Sequence, residues 1–347
     1  MKEVFLPAKA IVAHGEFIWI YQEQYNYLMH YDVTNKKLQI DIDISKEIGA
    51  GTYNKLLVVN GIIYMIPDLA DCIISYKIQS GEINKINLPD CMSYTGTKMF
   101  CNAILINNKI YCVSCSNKFM VVFDGQTGKL DKLVDVAEML QCHTIAGCFE
   151  SVITHGNSII GIIPNTNKIF VIDTASFTAD IVEIGFAENV YTTIASDGTN
   201  VFLYEYASGV IYKYSYVDKR VLQKIQPKYK LKYRVCSFGD KILLDPINGG
   251  NLIVVDSEGE LICELNTIYN ISYRMDALCV GAVDESGKFY YNSLDNYLYL
   301  FDGKSMSKVD ILKMDVSKEV QLNNRLFCSY LLRENRSVSL ESFIHSV

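Results

Sequence analysis

Apolar and polar residues follow one another along this chain in short runs that together form a repeated unit. In the clearest copy, from Asn167 to Gly185, an apolar run covers residues 169–172, Asp173 opens a turn, and a second run follows. Two further apolar runs, separated by a tight turn such as His155-Gly156, precede each copy. Short runs bounded by turn residues are typical of β-strands, and glycine supplies the positive φ that such turns need. Each copy therefore predicts four strands, here named A to D in chain order.

The unit occurs seven times, at intervals of 41 to 49 residues. The residues that open the C–D turns are Asp32, Lys77, Asp124, Asp173, Ser215, Asp256 and Asp302. A period of this length, with four short strands in each copy, is the signature of a β-propeller. Radial stacking buries both faces of each sheet and leaves only short edges.

The sequence thus predicts an all-β fold, a seven-bladed β-propeller of four-stranded antiparallel blades, with residues 1–347 as a single domain. The predicted blades cover approximately 9–45, 54–89, 100–136, 148–185, 191–226, 233–266 and 275–313. A C-terminal strand and short helix are predicted over 325–347. Either the strand at 325–332 or an opening strand at 4–6 could close the ring, and both readings stay open. Short helices are also predicted after three D strands, where Asp43, Asp135 and Asp315 suit the N-cap position.

The fourth repeat resembles a known type of propeller repeat. Its Val-Ile-Asp run, the following turn with Thr and Ser, and the second strand resemble the YVTN repeat. More loosely, the chain is similar to quinoprotein-like and kelch-like propellers, although it has one Trp and lacks both the Trp-Asp dipeptide and the paired glycines of kelch repeats. The resemblance implies a fold and no particular activity, because such propellers include lyases, dehydrogenases and binding scaffolds.

Composition narrows the classes of partner and the compartment. The formal net charge of −7 argues against a nucleic acid or an anionic membrane as partner. No apolar run reaches the roughly 18 residues that span a bilayer, and no signal peptide is apparent. Eleven cysteines, an odd number placed mostly within strands, fit a reducing compartment better than a disulfide framework. We expect a cytoplasmic monomer without a cofactor.

Cysteine is concentrated in one part of the chain. Cys112 and Cys115 form a C-x-x-C at the end of strand B in the third repeat, and Cys91, Cys142 and His143 lie in D–A loops. Loops of these two kinds open on the same face of a propeller, so thiolates and an imidazole could converge on zinc or an iron–sulfur cluster. The sequence lacks the second C-x-x-C of a regular zinc site, which favours a structural role for these cysteines as small buried hydrophobes.

Aromatic and basic residues recur where the D–A loops enter strand A. The candidate ligand-binding residues are Tyr53, Tyr191, Tyr233, Arg234, Tyr273 and Arg274. In a propeller these positions overhang the central channel, where a tyrosine ring can stack and an arginine can bind a carboxylate or phosphate. The alternative is that the aromatic rings only separate neighbouring blades.

Other polar residues have structural explanations. The aspartates that open the C–D turns are expected to accept hydrogen bonds from turn amides. His14 and His155 share one position, in the A–B turns, and are expected to be turn residues.

The sequence therefore favours a non-catalytic binding or protein-interaction scaffold over an enzyme. The alternative is a propeller-type lyase or hydrolase acting on a carbohydrate or another small acidic substrate at the channel mouth. Its catalytic candidate is His143, with Arg234 and Arg274 as substrate-binding residues.

Overall fold

The structure of the protein is a computed structural model. It describes residues 3–5, 8–23, 25–48, 51–92, 99–114, 118–140, 151–163, 166–185, 190–227, 233–246, 250–267, 280–292 and 297–315. The predicted C-terminal strand and helix, and the predicted helix after Asp315, lie outside these residues.

Thirty strands and two short α-helices make up the described fold. An initial strand, β1, is Glu3–Phe5. Blade 1 contains β2 (Ala10–His14), β3 (Phe17–Gln22), β4 (Tyr27–Asp32) and β5 (Lys37–Asp43), followed by helix α1 (Ile44–Glu47). Blade 2 contains β6 (Tyr53–Val59), β7 (Ile62–Pro67), β8 (Cys72–Lys77) and β9 (Ile83–Asn87), followed by a 3-10 turn at Asp90–Met92. Blade 3 contains β10 (Phe100–Ile106), β11 (Lys109–Ser114), β12 (Phe119–Asp124) and β13 (Leu130–Asp135), followed by helix α2 (Val136–Leu140).

The remaining blades repeat the same order. Blade 4 contains β14 (Val152–His155), β15 (Ser158–Ile162), β16 (Lys168–Asp173) and β17 (Thr178–Glu183). Blade 5 contains β18 (Tyr191–Ser196), β19 (Asn200–Glu205), β20 (Ile211–Ser215) and β21 (Arg220–Ile225). Blade 6 contains β22 (Tyr233–Phe238), β23 (Lys241–Pro246), β24 (Gly250–Val255) and β25 (Leu261–Thr267). Blade 7 contains β26 (Val280–Val283), β27 (Phe289–Asn292), β28 (Tyr297–Phe301) and β29 (Met306–Ile311), and a last strand β30 (Lys313–Asp315) follows.

Each blade is a four-stranded antiparallel sheet whose strands pair in chain order. The prediction of seven four-stranded blades is confirmed. The core is divided into seven apolar clusters of described residues, each between two neighbouring blades, and the cluster between blades 7 and 1 completes the circle. Because both faces of a blade are covered, middle strands such as β16 bury four consecutive apolar residues, Ile169 to Ile172.

No blade of the described structure combines strands from the two ends of the chain. Strand β1 pairs antiparallel with β30 in a separate two-stranded sheet, from Glu3 opposite Asp315 to Phe5 opposite Lys313. Side chains of blades 1 and 7 also meet: the Tyr31 hydroxyl donates to Asp310 Oδ2 at 2.9 Å. The amide of Ala8 donates to Asn292 Oδ1 at 2.8 Å. The N-terminal strand thus takes part in closure, while the strand predicted at 325–332 lies outside the described residues.

Both described helices begin where the sequence predicts them. Asp43 is the N-cap of α1 and accepts from the Lys46 amide at 3.4 Å, and Asp135 Oδ1 accepts from the Glu138 amide at 3.0 Å. Helix α2 buries Val136 and Leu140 in the cluster between blades 3 and 4. The D–A connection after blade 3 therefore contributes to the core.

Most outer strands are irregular at one point. In blades 1, 3, 5, 6 and 7 the pairing of strand D with strand C contains a β-bulge. The residues skipped in the pairing are Asp41, Asp131, Leu222, Ile262 and Val309. A bulge bends an exposed edge and makes it a poorer template for pairing with another chain.

Candidate ligand site at the channel mouth

The inner strands form the innermost layer of the ring. Successive strands are in contact along the series β26, β2, β6, β10, β14, β18 and β22. Exposed side chains occur on four of them, at Lys55, Leu105, Thr154 and Thr192, so the inner strands border open space. That space is the central channel, and the D–A and B–C connections surround its mouth.

Two of the predicted ligand-binding tyrosines lie in the core. Tyr53 and Tyr191, at the start of β6 and β18, are each 1 % exposed. The Tyr53 ring packs edge-on against Tyr21 with 5.7 Å between centroids, and the Tyr191 hydroxyl donates to the Ile184 carbonyl at 3.0 Å. Burial raises the pKa of both phenols above the usual value near 10. Both tyrosines therefore pack between the blades, in agreement with the alternative prediction that these aromatic rings separate neighbouring blades.

The other four candidates are only partly described. Tyr233 and Arg234 are the first residues of β22, where Arg234 pairs with Asp245, and their side chains lie outside the described part of the structure. Tyr273 and Arg274 lie outside the described residues altogether. The ligand-binding role of Arg234 and Arg274 stays a prediction.

A β-bulge follows the first aromatic residue of the inner strand in three blades. Pairing shifts between Tyr53 and Lys55, between Phe100 and Asn102, and between Tyr191 and Thr193. One extra residue stands in each gap: Asn54, Cys101 and Thr192. A bulge re-aims the side chains beside it and is common at barrel rims and next to functional sites. Here the aromatic residue is buried, and Lys55 and Thr192, which follow it in blades 2 and 5, are exposed.

Lys55 is the charged residue that this arrangement exposes. Its side chain is exposed by surface area, yet the surrounding inner strands desolvate its ammonium and lower its pKa from the usual value. Both properties fit a side chain in a narrow channel, where water has access but little water surrounds the charge. The thiol of Cys236, on β22 of blade 6, interacts with Lys55 and offsets part of this effect. Lys55 was not among the residues predicted from the sequence.

The candidate metal ligands are separated or undescribed. Cys91 is an exposed free thiol at the 3-10 turn, whereas Cys112 is fully buried in β11 and burial raises its pKa. Cys115, Cys142 and His143 lie outside the described residues. Within the described part of the chain, no group of three or more His, Cys, Asp or Glu side chains could hold a metal ion.

The opposite face of the ring carries the narrow A–B turns. His14 and His155 are the last residues of β2 and β14 there, each directly before a turn that begins with a glycine with φ of 58°. A cavity of about 400 Å³ beside His14 is lined by Asn60, Lys77 and neighbouring residues of blade 2. It lies at the far end of the ring from Lys55.

Solved structures with similar backbones share little sequence with this chain. PorZ, a surface component of the type-IX secretion system of Porphyromonas gingivalis, matches with a TM-score of 0.62 and 8% identity, over 91% of this chain and 40% of its own. Hsv2 of Kluyveromyces lactis, with a complete loop 6CD, matches with a TM-score of 0.58 and 10% identity, over 90% and 99% of the two chains. The Dos1 propeller matches with a TM-score of 0.58 and 11% identity, over 89% and 86%. No protein-family model and no curated protein sequence matches the chain.

The fold is a seven-bladed β-propeller. At these identities the similarity concerns the propeller fold alone, and a binding or scaffold role is consistent with that fold. No helix among the described residues is long and apolar enough to cross a membrane.

Proposed function

We propose that this propeller is a non-catalytic binding module that receives its ligand at the channel mouth, on the face of the D–A and B–C connections. The observation that carries this proposal is the bulge repeated in blades 2, 3 and 5, which follows a buried aromatic residue in each case. A regular strand would suffice to hold the blades together. In blades 2 and 5 the bulge is accompanied by an exposed polar residue of the inner strand, Lys55 or Thr192.

Two features of this mouth suit binding. Its residues supply hydrogen-bond donors and acceptors on rigid inner strands. A small number of polar groups in a concave, preformed site is typical of small-ligand recognition. Buried aromatic residues at the strand starts fix the backbone that presents these groups, since Tyr53, Phe100 and Tyr191 are at most 1 % exposed. The alternative function, a lyase or hydrolase, depends on His143, Arg234 and Arg274, whose side chains lie outside the described structure.

The experiment is to test binding of inorganic phosphate, citrate, glucose and glucose 6-phosphate by saturation-transfer NMR and calorimetry. We expect at least one probe to bind, and Thr192→Trp, which places a large ring at the exposed bulge, to abolish that binding. Val217→Trp is the matched control, because Val217 is 78% exposed on the C–D turn of the same blade. Binding by none of the probes, or binding that Thr192→Trp leaves unchanged, would contradict the proposal.

We also propose a cytoplasmic location. In its support, Cys72, Cys91, Cys112, Cys236 and Cys263 are all free thiols.

A further inference from the structure

The inner wall of the propeller differs in charge from the rest of the protein. The chain has 39 acidic and 32 basic residues, which give its net charge of −7. The seven inner strands nevertheless contain no Asp or Glu, while they contain Lys55 and Arg234. A channel whose wall carries one sign of charge raises the local concentration of ions of the opposite sign. The wall therefore favours an anion inside an acidic protein.

Lys55 differs from Arg234 in what stands opposite it. The two residues hold the same strand position, because each comes one pair after a tyrosine that lies opposite a proline. These tyrosine–proline pairs are Tyr53 with Pro67 in blade 2 and Tyr233 with Pro246 in blade 6. Arg234 faces Asp245 across its strand pair, whereas Lys55 faces Ile66. No ion pair between described residues involves Lys55, although Lys9, Lys109, Lys168 and Lys213 all have carboxylate partners.

A hydroxyl at the same position in blade 5 also has no partner among the described residues. Thr193 follows its bulge as Lys55 does, and its buried Oγ1 makes no hydrogen bond in the described structure. A buried hydroxyl without a partner costs free energy unless a ligand or water completes it. Lys55 interacts electrostatically with Cys236 of blade 6, and two blades separate blades 2 and 6 on one side of the ring and three on the other. The Lys55 side chain, exposed on the innermost strand of blade 2, therefore borders the channel.

We propose that Lys55 is the anion-binding residue of the channel mouth, where its ammonium binds a carboxylate or phosphate group of the entering ligand. This inference rests on the proposed function and names the chemical class of the ligand. An ammonium held away from bulk water and without a carboxylate partner is destabilised, and an anion that pairs with it removes that cost.

The test uses the full chain labelled with 13C and 15N in lysine and follows the side-chain resonances against pH. The Lys55 resonance, assigned with Lys55→Gln, is expected to titrate below the other lysines, and inorganic phosphate is expected to raise its midpoint. Citrate tests carboxylates in the same way, so the two anions distinguish the possible sources of the charge. A Lys55 midpoint that matches the exposed lysines and does not respond to phosphate or citrate would overturn the inference.

Substitutions separate a binding role from a structural one. Lys55→Gln should weaken phosphate or citrate binding by about tenfold or more, the usual effect of losing one charge-assisted hydrogen bond. Lys55→Arg should retain binding, and Lys37→Gln, on the exposed outer strand of blade 1, should leave it unchanged. A residue that serves stability would lower Tm when replaced, whereas Lys55→Gln should raise it, because the desolvated charge is removed. Equal binding by Lys55→Gln and the wild type would refute the role of Lys55.

The outcomes also separate this inference from the proposed function. If glucose binds, Thr192→Trp abolishes its binding and Lys55 does not respond to anions, the binding module stands and the anion-binding role of Lys55 is wrong. If no probe binds, both proposals fail.

Discussion

Aspartate at the start of a C–D turn has the same structural task in several blades. Asp124 Oδ1 accepts from the amides of Gln126 and Thr127, and Asp173 Oδ1 accepts from those of Ala175 and Ser176. Asp256 and Asp302 do the same in blades 6 and 7. These bonds confirm the role predicted from the sequence, because a carboxylate directly before a turn lies within reach of the turn amides.

Removing one of these carboxylates should destabilise its blade. Asp173→Ala should lower Tm at neutral pH, because two amides and the Ser176 hydroxyl lose their acceptor. Hydrogen bonds from Ser176 hold the pKa of Asp173 below its usual value, so its contribution is present above about pH 4 and is lost as pH falls through the folded-state pKa. Thermal unfolding at several pH values measures this. Asp180→Ala, on exposed strand β17, is the control, and equal effects of the two variants would contradict the prediction.

Cysteine reactivity tests the structural reading of Cys112. Cys112 is 0 % exposed and burial raises its pKa, so it should resist alkylation until the protein unfolds, whereas exposed Cys91 should react quickly. Mass spectrometry after timed labelling with iodoacetamide distinguishes the two sites, with Cys91→Ser to confirm the assignment. Rapid labelling of Cys112 in the native protein would show that β11 is not packed as described.

At the residue scale, the inner-strand residues at the channel mouth show what the sequence alone does not predict. Tyr53 and Tyr191 were correctly located at the strand starts, but a sequence does not show which way a side chain points when a bulge shifts the alternation by one residue. Lys55 could have been recognised from the sequence of β6, because it is the one charged residue in that strand. Comparison of all seven inner strands would also have shown that they lack carboxylates.

At the scale of strands and blades, the repeat determined nearly everything that was predictable. Strand positions and the C–D turns follow from a period that recurs seven times, and the helices α1 and α2 follow from Asp43 and Asp135. The bulges could not be predicted, because they depend on pairing between strands and not on the composition of one strand. Ring closure by β1 and β30 depends on three residues at each end, too few to form a recognisable pattern.

The contact between the first and last blades gives a prediction for closure. Tyr31→Phe removes the hydroxyl that donates to Asp310 across the junction and should lower the free energy of unfolding by about 1 kcal/mol. Denaturant unfolding measures the loss. Tyr111→Phe is a control, since Tyr111 is a buried tyrosine of blade 3, away from the junction of blades 1 and 7. If the two variants lose the same stability, the hydroxyl bond contributes nothing specific to closure.

At the scale of the whole molecule, the propeller depends on buried tyrosines in many of its blade interfaces. Burial raises the pKa of Tyr21, Tyr31, Tyr53, Tyr64 and Tyr191 above the usual value of 10.0. The number and order of blades followed from the sequence because each interface repeats the same apolar pattern. The ligand did not, because it depends on single residues at the channel mouth.

These tyrosines should make the fold sensitive to alkali. A folded-state pKa above the unfolded value means that the stabilising protonated form is fully present below about pH 10 and that stability falls as pH rises beyond it. Near-ultraviolet absorbance of phenolate should show part of the 24 tyrosines titrating only when the chain unfolds. A native protein whose tyrosines all titrate with a midpoint near 10, as in guanidinium chloride, would contradict this packing.

The most direct measurement of the central claim is a crystal structure after soaking with selenate. Selenate is a tetrahedral oxyanion whose selenium atom is located by its anomalous scattering. The account predicts a selenium peak in the channel within hydrogen-bonding distance of Lys55 Nζ, and its loss in crystals of Lys55→Gln. A Lys55 ammonium bound to a carboxylate of the same chain, with selenate only on the outer surface, would contradict it.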